Sequence, residues 1–254
     1  MGRTISVANQ KGGVGKTTTA INLSACLAQA GKRVLVIDSD PQGNTTSGFG
    51  IDKDSLERTV YTMLLRQHRI DEVTMETNVP NLYILPSNVE LAGAEIELVE
   101  TNRREYILKT ALSDVKYLYD FIIIDCPPSL NMLTINALTA SDSVLVPIQC
   151  EYFALEGLSQ LMHTIDLVKK RLNPLLALEG VVFTMYDART NLSMQVIEEV
   201  KKHLGSHIYR TVVPRNVRLS EAPSHGLPIT SYDAKSKGAE SYIQLAEEVI
   251  AKII

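Results

Sequence analysis

Eight consecutive residues, Lys11-Gly12-Gly13-Val14-Gly15-Lys16-Thr17-Thr18, combine the side chains and the backbone freedom that grip a polyphosphate. Glycines let a loop turn tightly enough for several backbone N–H groups to converge on phosphate oxygens. A helix opening at Lys16 adds the positive end of its dipole. In such a loop Lys16 reaches between the β- and γ-phosphates of a nucleotide. Thr17 offers its hydroxyl to Mg²⁺, and Thr18 donates to the α-phosphate. A plain glycine-rich turn does not need Gly-Lys-Thr at the start of the helix, so the phosphate reading is the stronger one.

Two further segments end apolar runs in carboxylates. Val34-Leu35-Val36-Ile37-Asp38 continues into Ser39-Asp40-Pro41-Gln42-Gly43-Asn44, and Phe121-Ile122-Ile123-Ile124-Asp125 into Cys126-Pro127-Pro128-Ser129. Ligands of open α/β sheets bind outside the carboxyl ends of the strands, so all three acids point toward the phosphate loop. Asp40 suits the orientation of an attacking water. Asp38 either holds Mg²⁺ through its water shell or supports the loop, and both acids also read as turn or N-cap carboxylates. Asp125 delivers one hard oxygen ligand to the magnesium shell. Cys126 reads as a packing residue, because no histidine lies near it to activate a thiolate. No glutamate base stands beside Asp125, so hydrolysis would rest on positioning and charge neutralisation. Slow turnover of that kind suits a timed switch.

A third segment, Tyr209-Arg210-Thr211-Val212-Val213-Pro214-Arg215-Asn216, is a strand running into a Pro-x-Asn turn. Pro214 and Asn216 can wrap a purine base by packing and amide hydrogen bonds, with Met185 on the other side; a simple turn is the alternative. Charge is also uneven here. Residues 189–237 hold eight Lys/Arg against four Asp/Glu, a balance of +4 that leaves −8 for the rest of a chain whose net charge is −4. Such a patch either binds phosphate backbones without regard to sequence or merely solvates helix faces. The acidic total excludes a constitutive, strongly basic nucleic-acid binder.

Positioning these groups requires a scaffold, and the apolar patterning supplies one. Candidate strands are Thr4–Ala8, Val34–Asp38, Leu82–Leu85, Phe121–Asp125, Ser143–Ile148, Gly180–Met185 and Tyr209–Val213. Several are apolar almost throughout, as in parallel strands buried on both faces. Helical periods cover Thr17–Gln29, Arg103–Val115, Met132–Ala140, Leu155–Leu172, Asn191–Leu204 and Ala239–Ile254. Their alternation predicts an α/β fold: a single doubly wound, mostly parallel sheet with helices on both faces. With 254 residues, 45% hydrophobic and 21% charged, and no linker or repeat, one domain over 1–254 is expected. Cys26, Cys126 and Cys150 suit buried thiols in a reducing compartment. Without a signal peptide or an apolar run of about 20 residues, a cytoplasmic protein without a membrane span is expected.

The phosphate loop departs from the general pattern, with Gln10 where a glycine is usual and an added lysine at Lys11. Lys-Gly-Gly-x-Gly-Lys-Thr is the deviant Walker A motif, and the chain resembles the ParA/MinD family of P-loop ATPases. Leu91-Ala92-Gly93-Ala94-Glu95, Gln149-Cys150-Glu151-Tyr152 and Arg218-Leu219-Ser220-Glu221-Ala222-Pro223-Ser224-His225-Gly226 resemble its chromosomal ParA/Soj branch. The resemblance implies ATP and Mg²⁺ as cofactors and an ATP-dependent homodimer in which Lys11 reaches the partner's nucleotide. It makes Asp40 the water-positioning residue of a switch I segment and Asp125 a Walker B carboxylate. It also implies an adenine pocket at Pro214 and Asn216, and non-specific DNA binding through Arg189 and Arg218, with Lys201, Lys202 and Arg215 as weaker candidates. The implied partner is a ParB/Spo0J-like protein that stimulates hydrolysis, and the implied location is the nucleoid. No helix-turn-helix segment precedes the first strand, so specific operator binding is not expected. A membrane switch would end in a basic amphipathic helix, whereas Leu245–Ile254 carries two acids and one lysine. An iron–sulfur protein lacks a second suitably spaced cysteine, and nothing marks the substrate pocket of a small-molecule synthetase.

Overall fold

A computed structural model describes residues 2–151 and 154–252, with the side chains at 154–156, 203 and 206 outside the description. Tyr152 and the expected helix-terminal Ile253 and Ile254 lie outside the described residues. In chain order the elements begin β1 (Arg3–Val7), α1 (Lys16–Gln29), β2 (Val34–Asp38), α2 (Asn44–Gly48), α3 (Val60–Leu64), α4 (Ile70–Val73), β3 (Met75–Glu76) and β4 (Leu82–Leu85). They continue with α5 (Ala94–Glu97), α6 (Ile107–Ser113), β5 (Phe121–Asp125), α7 (Met132–Ala140), β6 (Ser143–Gln149) and α8 (Ala154–Arg171). The last are β7 (Ala177–Tyr186), α9 (Asn191–Leu204), β8 (Ile208–Pro214), α10 (Val217–Glu221), α11 (Ile229–Tyr232) and α12 (Lys237–Ala251).

One eight-stranded sheet runs in the order β3-β4-β2-β5-β1-β6-β7-β8. All neighbours are parallel except the edge pair β3–β4, so the expected doubly wound sheet is present with one short antiparallel strand added. Alternate residues of each strand feed opposite cores, as a side-chain period of two requires. Leu35 and Ile37 of β2, Ile122 and Ile124 of β5 and Val144 and Val146 of β6 pack into the core that takes in residues of α3–α9. Val34, Val36, Ile123 and Leu145 pack on the other face against α1 and α12.

This topology fixes where the site must lie. β1 is central: from its carboxyl end the chain crosses through α1 to β2 on one side, and from β5 it crosses through α7 to β6 on the other. That switch point leaves a crevice above the strand ends. Paired register brings Asp38 of β2 directly beside Asp125 of β5, and Asp125 beside Val7 of β1.

Candidate nucleotide site and basic face

The loop between β1 and α1 is pinned from three sides. Asn9 Nδ2 donates to the Pro147 carbonyl at 2.8 Å, and Asn9 Oδ1 accepts the Lys11 N–H at 3.0 Å. Thr184 Oγ1 donates to the Val14 carbonyl at 2.7 Å. Gly15 caps α1 with φ 89°, a left-handed conformation that a side chain would strain. A Cβ placed on Gly12 or Gly13 would meet nothing within 4 Å, so the loop presents an open backbone cradle. Helix α1 begins without an acidic residue in its first turn or a side-chain cap, leaving its N–H groups free for an anion.

The two lysines of this loop face different ways. Lys16 is buried and its Nζ donates to the Lys11 carbonyl at 3.0 Å. Burial lowers its pKa, and the nearby Asp125, Cys126 and Asp40 oppose that shift. Lys11 instead turns outward, where its Nζ pairs with Glu151 Oε2 at 2.8 Å within the same chain.

Asp125 is fully buried, and its Oδ2 accepts from Thr17 Oγ1 at 2.8 Å and from Thr45 Oγ1 at 2.7 Å. Its Oδ1 is buried with no hydrogen-bond partner among the described residues. An unpaired buried carboxylate oxygen is costly, and here it lies next to the threonine of the phosphate loop. Burial, reinforced by the charge of Asp38, pushes the Asp125 carboxyl up to about 7. That donor set fits a hydrated Mg²⁺, which binds proteins through few hard oxygens and keeps several waters.

Asp38 serves the loop itself. Its Oδ2 accepts the Thr46 N–H at 2.8 Å and the Thr46 hydroxyl at 2.7 Å, and its Oδ1 accepts the Asp40 N–H at 3.2 Å. Of the two roles open to it in the sequence, loop support is the one these contacts provide. Burial raises its carboxyl to about 6, and the Thr46 bonds oppose the rise. Asp40 sits one turn further out, with Oδ1 accepting the Gln42 N–H at 2.9 Å. Gly43 makes this turn possible, because at φ 61° a Cβ there would lie 2.8 Å from the Ser87 carbonyl oxygen.

Beside the phosphate loop is a cavity of about 290 Å³, lined by Gly15, Thr18, Met185, Pro214 and Asn216 among others. The three residues expected around a base are thus brought together next to the cradle. Met185 holds a left-handed φ of 50°, unusual for a side-chain-bearing residue. Asn216 Oδ1 caps α10 by accepting the Arg218 N–H at 2.8 Å, which leaves its amide nitrogen for a ligand. Thr45, Thr46 and Glu151 were missed as partners in the sequence reading. Only the Thr45-Thr46 pair directly after Gly43-Asn44 carried a usable signal.

Arg189 and Arg218 follow the carboxyl ends of neighbouring strands, and the Arg215 N–H ties the two loops through the Tyr186 carbonyl at 3.0 Å. Both side chains reach solvent, 86% and 55% exposed. Arg215, Lys201 and Lys202 are exposed as well. Cys26, Cys126 and Cys150 are buried free thiols, pushed up by burial to about 12, 12 and 11, which suits packing rather than nucleophilic chemistry. No helix among the described residues is long and apolar enough to cross a membrane.

Comparison with known proteins bears on this geometry. The AAA domain family matches residues 2–178. The sporulation initiation inhibitor protein Soj of Bacillus subtilis is 62% identical over 251 residues, covering 99% of each chain. The chromosome partitioning protein ParA of Myxococcus xanthus is 55% identical, over 99% of this chain and 89% of its own. A Mycobacterium smegmatis protein named cobyrinic acid a,c-diamide synthase, solved with ADP and magnesium, superposes with a TM-score of 0.87 at 40% identity, covering 98% of this chain and 94% of that one. The septum site-determining protein MinD of Pyrococcus horikoshii, complexed with Mg-ADP, gives 0.82 at 28% identity, covering 98% and 96%.

Proposed function

The chain belongs to the ParA/Soj family of chromosome-partitioning proteins, and from that premise we propose that it is one P-loop domain working as an ATP-driven DNA-segregation switch. The observation that carries this reading is the division of labour between the two lysines of one loop. Lys16 is turned in over the cradle, and Lys11 is turned out, where its Nζ meets Glu151.

On this reading Lys16, the loop N–H groups and Thr18 bind the phosphates of ATP. Thr17 and Asp125 hold the metal's water shell, and Mg²⁺ supplies charge neutralisation at the β- and γ-phosphates. Pro214, Met185 and Asn216 hold the adenine. Asp40 orients the water, and Asp38 keeps Asp40 and the Thr45-Thr46 segment in place through its three hydrogen bonds. Lys11 leaves Glu151 to reach the nucleotide of a second subunit, so ATP assembles a homodimer. Two basic faces then bind DNA together, and linked weak contacts gain avidity without new chemistry. A ParB/Spo0J-like protein stimulates hydrolysis, which releases the subunits, in the cytoplasm on the nucleoid.

Lys11→Ala is expected to keep ATP binding while raising the dimer dissociation constant about 10²- to 10⁴-fold, the weight of two charge-assisted hydrogen bonds, one from each subunit. Sedimentation with a slowly hydrolysed ATP analogue checks this. Loss of ATP binding would instead assign Lys11 to its own subunit's cradle. The central test is binding to DNA of arbitrary sequence with ATP, ADP or no nucleotide across a salt titration. ATP-specific, salt-sensitive binding is expected. Arg218→Ala should weaken it on every sequence and lower the salt slope by about one unit. Binding indifferent to nucleotide and salt would sink the partition reading.

The name of the M. smegmatis relative favours a second reading, an ATP-consuming synthase on the same fold. The two diverge on one measurement. A synthase turns over ATP only with its acid substrate, whereas a partition switch responds to DNA and its protein partner.

A further inference from the structure

Both arginines assigned to DNA are already engaged by carboxylates of their own chain. Asp187 meets Arg189 as a two-pronged fork, Oδ1 to Nε at 2.9 Å and Oδ2 to Nη2 at 2.7 Å. Glu221 Oε2 accepts from Arg218 Nη1 at 2.8 Å, and Asp233 Oδ2 lies 3.6 Å from its Nε. The Tyr232 hydroxyl donates to the same Glu221 oxygen at 3.1 Å and helps fix its position. Among the described residues no such ion pair forms at Lys201, Arg210 or Arg215, so the pairing does not extend to every cation of the basic segment.

We propose that Asp187, and likewise Glu221 with Asp233, compete with nucleic-acid phosphate for Arg189 and Arg218 and so hold down the DNA affinity of each subunit. The inference rests on the reading of those arginines as phosphate contacts. A guanidinium offers a planar fork that fits a carboxylate and a phosphate in the same bidentate way, so one ligand displaces the other. The Arg189 side chain holds the Asp187 carboxyl well below the usual carboxylate range, as a close pairing should. Both pairs stand in water, where such contacts are weak and readily exchanged. They therefore act as brakes that a second linked patch can overcome. Each pair lowers a lone subunit's affinity a few-fold, a loss that two linked patches offset.

Asp187→Asn isolates the effect, because Asp187 Oδ1 also accepts the Arg189 N–H at 3.0 Å and an asparagine oxygen can keep that turn. DNA affinity is measured by anisotropy on a duplex of arbitrary sequence with saturating ATP, for wild type, Asp187→Asn, Arg189→Ala and the double variant. Asp187→Asn should bind about two- to fivefold tighter, the range of an exposed ion pair. Most of that gain should vanish in the Arg189→Ala background, the remainder coming through Arg215, whose charge also acts on Asp187; a general change of surface charge would keep the gain whole. Asp187→Glu should restore the brake. If Arg189→Ala weakens binding while Asp187→Asn leaves it unchanged or weaker, Asp187 orients the arginine and the proposal falls alone. If Arg189→Ala has no effect, the assignment of Arg189 to DNA falls, and the proposal with it.

Discussion

Asp40→Ala is expected to lower ATP turnover by about 10²- to 10⁴-fold, the usual weight of a positioned acid–base group, while ATP and DNA binding persist. The side chain can be removed without dismantling the loop. The Asp40 backbone carbonyl accepts the Gly43 N–H at 2.9 Å and the Ser87 hydroxyl at 3.0 Å, and Asp38 Oδ1 holds the Asp40 N–H. Among the described residues, the one side-chain bond lost is that from the Gln42 N–H to Oδ1, which costs about 0.5–1.5 kcal/mol. The predicted phenotype is thus a loaded protein that stays on DNA, read as phosphate release against DNA retention after dilution. Rapid release with unchanged turnover would remove Asp40 from the chemistry. Asp38→Ala differs, because it strips three hydrogen bonds from the Thr46 and Asp40 positions and should disturb nucleotide binding as well as turnover.

The parts of the fold legible in the sequence were those whose cause is local. β2 and β5 are five-residue runs buried at every position, and each ends at the aspartate that enters the site. Helix α9 spans Asn191–Leu204, as its period indicates. Residues 44–73 were opaque, since α2, α3 and α4 have five, five and four residues, too few to display a helical period. The segment Arg103–Val115, expected as one helix, begins instead with a 3₁₀ turn, because Arg103 adopts a left-handed φ of 57° before Ile107 starts α6. β3 is a two-residue edge strand that pairs with β4, a pairing no local pattern specifies. In the site, residue types at strand ends could be read directly. Which hydroxyl meets which carboxylate could not, as Thr45 reaches Asp125 across eighty positions of chain. The Arg218–Glu221 pair was open to spacing, being three apart on a short helix, yet charge counting treated both residues as separate.

Asp125→Asn should make the metal-free protein more stable and the loaded one less active. In EDTA the buried Oδ1 has no partner among the described residues and the carboxylate stands beside that of Asp38, so replacing it with an amide should add about 1–3 kcal/mol. Thr17 and Thr45 can rotate their hydroxyls to suit the new group. The sign of the pH dependence follows from the shift. The carboxyl titrates near 3.9 when unfolded and at about 7 when folded, so between those values the native state binds the extra proton. Stability without metal should therefore fall as pH rises from about 4 to 7, and Asp125→Asn should flatten that slope. With Mg²⁺ and ATP the order reverses. The variant gives up one hard oxygen and a unit of negative charge from the ion's shell, so the Mg²⁺ requirement should rise about 10- to 100-fold, with turnover falling at any fixed Mg²⁺ level. Thermal melts in EDTA across pH, paired with Mg²⁺ titrations of phosphate release, separate the two effects. A variant that melts lower than wild type in EDTA at neutral pH would mean that Asp125 earns its place by holding the fold rather than by waiting for the ion.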